Sequence, residues 1–296
     1  MQQSPTAPYV TVAPRGELLP LVLSSPHSGR TYPATLLAQC RMTPRQLRAL
    51  DDGPVDELLA QACGAGATLI AATYPRALVD LNRDALELDP DWLTDPAEMP
   101  GLRTTAKARA GLGVVPTRLL GEPIYADRLS AIELQRRLDE AYRPYHARLA
   151  ALMAERRQRF GVAMLLDCHS MPTMLHGRGE RAIDVALGDR FGRSCHPLLL
   201  AVAERVLAAA GLRVARNRPY AGGHITERHG RPETGSHALQ LELRRGLFMH
   251  ESTHEPNDGF AGMQALLGEL VRMLAVATTE LGAPVAMPAH PALSLA

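Results

Sequence analysis

Met164-Leu165-Leu166-Asp167-Cys168-His169-Ser170 is a short apolar run with polar residues only at its end. A run of this kind suits a strand covered on both faces, as in sheets flanked by helices. Similar runs recur at 21–24, 67–72, 77–81, 183–187 and 238–243, each bounded by turn residues. Between them lie helical patterns at 43–50, 55–64, 127–159, 196–207 and 259–281. The alternation predicts an α/β fold, a three-layer sandwich around a mixed, mostly parallel sheet. Pro144 is expected to kink or break the long helical region, because it removes a backbone donor there. Residues 84–126 have little periodicity and many Pro, Gly and Thr, so they read as a flap over a site or as a plain surface excursion. No internal repeat or second-domain boundary is evident; residues 1–283 are expected to form a single catalytic domain and 284–296 a flexible tail.

Composition narrows the function. With 32 Lys+Arg against 31 Asp+Glu, the net charge is +1, without the basic excess of nucleic-acid or anionic-membrane binders. Aromatic residues are 4% with the single Trp92, which argues against base-stacking platforms. Cys40, Cys63, Cys168 and Cys195 stand far apart, unlike a zinc ribbon or a disulfide framework, and suit a reducing, cytoplasmic setting. The first residues lack a signal-peptide pattern, and no apolar window of the ~18 residues a bilayer needs is evident.

Chemistry concentrates at the ends of the expected strands. His27 follows Leu21-Val22-Leu23-Ser24-Ser25-Pro26, and His169 follows Met164-Leu165-Leu166-Asp167-Cys168. In open α/β sheets ligands bind beyond the carboxyl ends of the strands, so the two imidazoles are expected to converge there, and convergent imidazoles suit zinc. Leu78-Val79-Asp80-Leu81-Asn82-Arg83, read as a third strand end, puts Asp80 and Asn82 on one face with Arg83 just beyond. A guanidinium beside an amide suits a substrate carboxylate, with Arg76 as helper; a salt bridge from Asp80 to either arginine is the alternative. On Ala238-Leu239-Gln240-Leu241-Glu242-Leu243-Arg244, Glu242 shares a face with Gln240 and Arg244, which makes it a candidate general base unless that face is merely solvated. His250-Glu251-Ser252-Thr253-His254 matches the H-E-x-x-H protease pattern, but Gly246 and Pro256 flank it where that site needs a helix.

Taken in order, Ser25-Pro26-His27-Ser28-Gly29, Asp80-Leu81-Asn82-Arg83, Asp167-Cys168-His169-Ser170 and Leu241-Glu242-Leu243-Arg244 resemble the site signatures of zinc carboxypeptidase-type exopeptidases. With Gly111-Leu112-Gly113-Val114, Gly188-Asp189-Arg190 and Asn217-Arg218-Pro219-Tyr220-Ala221-Gly222-Gly223 added, the set is similar to the N-formylglutamate amidohydrolase (deformylase) family, from about residue 20 to residue 251. The resemblance implies a zinc exopeptidase-like (phosphorylase/hydrolase-like) fold and hydrolysis of N-formyl-L-glutamate to formate and glutamate, the last step of one route of histidine degradation.

One departure matters. The exopeptidase pattern carries a Glu three residues after the first His, and here that position is Arg30. The missing acid is expected from Asp51-Asp52-Gly53-Pro54-Val55-Asp56-Glu57, with Asp56 as ligand and Glu57 as its substitute, while Asp51 and Asp52 cap the helix. The ion expected is one Zn²⁺, or another divalent metal, on His27, Asp56 and His169, and the resemblance implies Glu242 as base and Asn82 and Arg83 on a substrate carboxylate. Arg76 or Arg190 is expected to take the second carboxylate of a small dicarboxylate, and His224 to assist the oxyanion. A monomer or small homo-oligomer is expected. The competing functions are a related acyl-amino-acid amidohydrolase or metallo-exopeptidase, a protease using His250 and His254, and a binding protein that has kept the fold.

Overall fold

The computed structural model describes residues 7–173 and 183–282; the expected tail at 284–296 lies outside them. The strands are β1 (Tyr9–Val12), β2 (Leu21–Ser25), β3 (Thr68–Ala72), β4 (Arg118–Leu119), β5 (Glu122–Pro123), β6 (Ala163–Met171), β7 (Val185–Gly188), β8 (Val214–Arg216) and β9 (Ser236–Arg244). β4 and β5 make a small separate ladder, and the other seven form one sheet in the order β1-β3-β2-β6-β9-β7-β8. β3, β2, β6 and β9 run parallel, whereas β1 is antiparallel to β3 and β7 is antiparallel to β9. The sheet is therefore mixed and mostly parallel, as the apolar runs predict.

The helices are α1 (Ala34–Gln39), α2 (Pro44–Leu47), α3 (Val55–Ala60), α4 (Ala106–Arg109), α5 (Ala131–Arg137), α6 (Arg143–Phe160), α7 (Pro197–Ala209), α8 (His224–His229) and α9 (Phe260–Gly282). Leu21, Leu23, Leu166, Leu239 and Leu241 point to one face of the sheet and pack with α3, α7 and α9. Val22, Ile70, Leu165 and Ala238 point to the other and pack with α5 and α6. The alternation of strand side chains explains where the chemistry lies. On the α6 side each central strand changes from apolar to polar toward its carboxyl end: Val22 to Ser24, Leu165 to Asp167 and His169, Ala238 to Gln240 and Glu242.

Just before Pro144 the long helical region is interrupted by a π-turn at Leu138–Tyr142, in which the Arg143 N–H reaches back to the Leu138 carbonyl, and α6 resumes with the proline in its first turn, where no helical partner is lost. Residues 77–81 depart from expectation, forming a buried turn rather than a strand. Leu78 N–H bonds the Pro75 carbonyl, Asp80 N–H bonds the Val114 carbonyl at 2.7 Å, and the Asp80 carboxylate accepts from Asn82 N–H at 2.9 Å. That last bond is an Asx turn, which competes with strand pairing, and β1 already occupies the outer edge of β3. β1 and β8 are strands that the polar flanks of their sequences hid.

α9 corrects a second expectation: at mean hydropathy 1.4 over 18 residues it is long and apolar enough to cross a membrane. In this fold its stripe of Leu267, Leu270, Val271 and Leu274 is buried in the core against α7 and α3.

A buried arginine fixes the turn that carries Asp80 and Asn82. Arg137 donates to the Leu78 carbonyl at 3.1 Å, to the Tyr125 hydroxyl at 2.7 Å and to Glu133 at 2.8 Å, with its side chain fully enclosed. Arg137→Leu is expected to cost about 2–4 kcal/mol, somewhat below the loss of a fully buried pair because Glu133 is partly solvated. Urea unfolding followed by circular dichroism checks this.

Candidate active site

The two strand-end histidines meet. His27 lies two residues beyond β2, and His169 sits within the carboxyl end of β6. Their Nδ1 atoms are 3.2 Å apart, and Asp52 Oδ2 lies 3.0 Å from Nδ1 of His169 and 3.3 Å from Nδ1 of His27. All three residues are buried.

Each ring turns its other nitrogen to a carboxylate. Nε2 of His27 is 2.8 Å from Asp80 Oδ1, and Nε2 of His169 is 3.0 Å from Asp167 Oδ2. In the neutral rings, hydrogens on the two Nε2 atoms meet these acceptor carboxylates and leave both Nδ1 atoms with lone pairs. Two nitrogen lone pairs and a carboxylate oxygen therefore converge on one point without a donor among them, an arrangement that a cation relieves. The spacing fits as well, because donors about 2.0–2.1 Å from a tetrahedral ion stand roughly 3.3–3.4 Å apart. Among the described residues, His27, Asp52 and His169 form the three-donor group able to hold a metal, and Asp80 and Asp167 are its orienting carboxylates.

Asp80 and Asp52 are held ionised. Burial opposes the charge on Asp80, but Arg76 and His27 outweigh it and hold its carboxyl well below the usual range. Burial likewise opposes the charge on Asp52, and the adjoining His169 and His27 rings outweigh it, holding its carboxyl below the usual range. Ser24 Oγ donates to Asp167 Oδ1 at 2.8 Å, fixing that carboxylate beneath His169.

Glu242 stands beside the triad, paired across the β6–β9 ladder with His169. β9 lies between β6 and β7, so its polar face is interior rather than an edge, and Glu242 is only 7% exposed. Burial pushes its carboxyl up to about 7, with His169 and His27 opposing. Gln240 Nε2 donates to Glu242 Oε1 at 2.7 Å and orients it. A positioned carboxyl whose affinity for protons lies near neutrality can both take and return a proton.

The acid expected at the metal is corrected from Asp56 to Asp52. Arg30, standing where the exopeptidase pattern has a ligand acid, pairs with Asp56 and also with Glu57 at 2.8 Å, so both expected acids are neutralised away from the histidines. Asp52 is brought in by its own N–H, which bonds the His27 carbonyl at 2.9 Å. The next residue, Gly53, has φ +69°, and a Cβ there would meet Met249 Sδ at 2.5 Å, so glycine is needed for the loop to turn. Arg245 braces the same loop through the Asp51 carbonyl at 2.7 Å and Ser170 Oγ at 3.0 Å, a role with no signal in the local sequence.

The triad opens into a cleft of about 510 Å³ lined by Arg76, Arg83, Lys107, Tyr220, Glu242 and Arg245, among others. Asn82 is there too, its Oδ1 accepting from Ile225 N–H at the start of α8 while Gly223 leaves room for its amide. Arg76 is not free for substrate: Nε and Nη2 both bond Asp80, at 2.8 and 2.7 Å, which is the salt-bridge alternative of the sequence reading. Arg190 and His224 line an adjoining recess instead of the cleft, and Arg190 is paired with Glu227 at 2.8 Å. His224 packs on Tyr142 and His146, out of the set of residues around the triad. The 250–254 segment is a turn with His254 at φ +60°, so the two histidines of the protease pattern do not share a helix face.

The family model of N-formylglutamate amidohydrolase matches residues 19–249, a span that contains every residue of the triad and Glu242. The chain belongs to this family. It is 36% identical over 241 residues to an N-formylglutamate deformylase of Pseudomonas aeruginosa, covering 79% of this chain and 83% of the relative. A Pseudomonas putida protein of the same name is 34% identical over 243 residues, covering 79% of this chain and 83% of that one. The crystal structure of N-formylglutamate amidohydrolase from Ralstonia eutropha superposes with TM-score 0.87 at 39% identity, covering 93% of this chain and 99% of that one. Membership of the N-formylglutamate amidohydrolase family accounts for the order in which the strand-end motifs occur.

Proposed function

We propose that the chain is a metal-dependent amidohydrolase that cleaves N-formyl-L-glutamate to formate and L-glutamate. The observation that carries this reading is the convergence of His27, Asp52 and His169 beside a buried carboxylic acid, in a chain whose relatives bear that activity in their names. The donor set, two imidazoles and one carboxylate, suits Zn²⁺. When bound, such an ion polarises a carbonyl oxygen and acidifies a coordinated water.

The protein's own groups supply the rest. Glu242 takes a proton from the water that adds to the formyl carbon. It returns that proton to the glutamate nitrogen as the C–N bond breaks, leaving formate and glutamate. Asn82 and Arg83 receive the α-carboxylate. Arg83 is suited to this because its Nε is buried and has no hydrogen-bond partner, while its approach to Asp80 is a loose 3.7 Å. Arg76 serves indirectly, holding Asp80 behind His27. A cleft of about 510 Å³ suits a substrate of this size. Its proposed setting is cytoplasmic histidine degradation, with residues 1–283 acting as one catalytic unit and a small dicarboxylate as the partner.

Formate release from N-formylglutamate and N-formylaspartate, with acetate release from N-acetylglutamate, by zinc-loaded protein is the test. Rapid release from the first is expected. No turnover of any formylated substrate would sink the proposal.

A further inference from the structure

Resting on the reading above, a second cation is required, because the substrate carries two carboxylates and Arg83 can clamp one. Both sequence candidates are already committed: Arg76 to Asp80, and Arg190 to Glu227 in the neighbouring recess. Arg245 lines the cleft, but its Nε and Nη2 are engaged by Ser170 and the Asp51 carbonyl. We propose that Lys107, on α4, binds the side-chain carboxylate of the substrate and sets the preference for an acidic amino acid.

Three observations place it there. First, Lys107 lines both the cleft of the triad and the adjoining recess, as Arg83 does, and Arg83 is the charged group that acts on it most. Second, the segment that carries it is tied to the turn that carries Asp80, Asn82 and Arg83. Leu112 N–H bonds the Lys107 carbonyl at 2.8 Å, Val114 N–H bonds the Glu87 carbonyl at 2.6 Å, and Asp80 N–H bonds the Val114 carbonyl at 2.7 Å. Lys107 and Arg83 are thus held on one frame. Third, Leu112, 38% exposed and also lining the cleft, offers an apolar surface to the methylenes between two carboxylates. The electrostatics agree: burial and the neighbouring Arg83 both lower the affinity of the Lys107 amine for its proton, and an anion lying between the two cations offsets that repulsion. Residues 84–126 would then contribute to the site by reading the substrate's side chain.

The experiment compares kcat/KM for N-formylglutamate and its neutral isostere N-formylglutamine in wild type, Lys107→Met and Lys107→Arg. In Lys107→Met the glutamate-over-glutamine ratio is expected to fall about ten- to a hundredfold, through KM rather than kcat, the size expected for one charge-assisted hydrogen bond. Lys107→Arg should restore most of the ratio. A ratio unchanged in Lys107→Met overturns the proposal. Calorimetric binding of glutarate and of its monoamide to the same proteins gives a readout independent of turnover. Lys107→Met should lose the preference for glutarate, and retention of that preference overturns the assignment. If wild type hydrolyses neither formyl substrate, the functional reading fails, while the glutarate comparison still decides whether Lys107 recognises the second carboxylate.

Discussion

Asp52→Asn is expected to strip the protein of its metal and its activity together, whereas Asp56→Asn keeps both. Asp52 Oδ2 lies within 3.3 Å of both ligand nitrogens, whereas Arg30 holds Asp56 and Glu57, and Asp51 accepts from the Tyr32 hydroxyl and the Arg76 N–H. An amide in its place removes the negative charge that balances the ion and leaves a much weaker donor. Changes to groups merely behind a ligand cost about 10–100-fold in metal affinity. Loss of the ligand itself should exceed that, so zinc content after dialysis should fall from about one per chain toward zero. Metal analysis and formate release on both variants, with thermal melts of the metal-free proteins as a folding control, check the assignment. Metal retained in Asp52→Asn and lost in Asp56→Asn would reverse it.

The second large effect is expected at Glu242. Glu242→Gln preserves size and can still accept from Gln240 Nε2 through its amide oxygen, so the local packing of β9 should survive. What it cannot do is take up a proton from water and release it to the leaving nitrogen. General acid–base groups contribute roughly 10²–10⁴-fold, and kcat should fall by that much with metal content intact and KM within a few-fold of wild type. Steady-state kinetics with parallel metal analysis separates this from damage to the triad, in which metal and activity fall together. A variant with more than a tenth of the wild-type kcat would remove Glu242 from the proposed proton path.

Much of the frame was legible because strand periodicity is local. The runs ending at Ser24, at His169 and at Leu243 each carry apolar residues where the helices cover them and polar residues where the sheet ends. That period of two suffices to put Asp167 with His169 and Gln240 with Glu242 on common faces. Residues 77–81 show the limit of the same rule. Their apolar run is genuinely buried, but burial is shared by strands and enclosed turns, and the Asp80 carboxylate chose the turn by capping Asn82 N–H. Asp80 consequently orients His27 from behind, a part that no alternation pattern assigns to it.

The sequence by itself determined the central strands of the sheet, the two histidines at their carboxyl ends and the carboxylic acid on the neighbouring strand, because each of these follows from the pattern along one strand and its immediate flanks. Only the tertiary structure decided which acid completes the triad, which arginines are already spoken for, and where Lys107 stands. Those choices turn on ångström differences between segments far apart in the chain: Asp52 joins the histidines through a bond to the His27 carbonyl, while four residues later Arg30 has claimed Asp56. Candidate charges that look equivalent along the chain are separated by the partner each one meets on folding, and a charge satisfied by its neighbour has little left to offer a metal or a substrate.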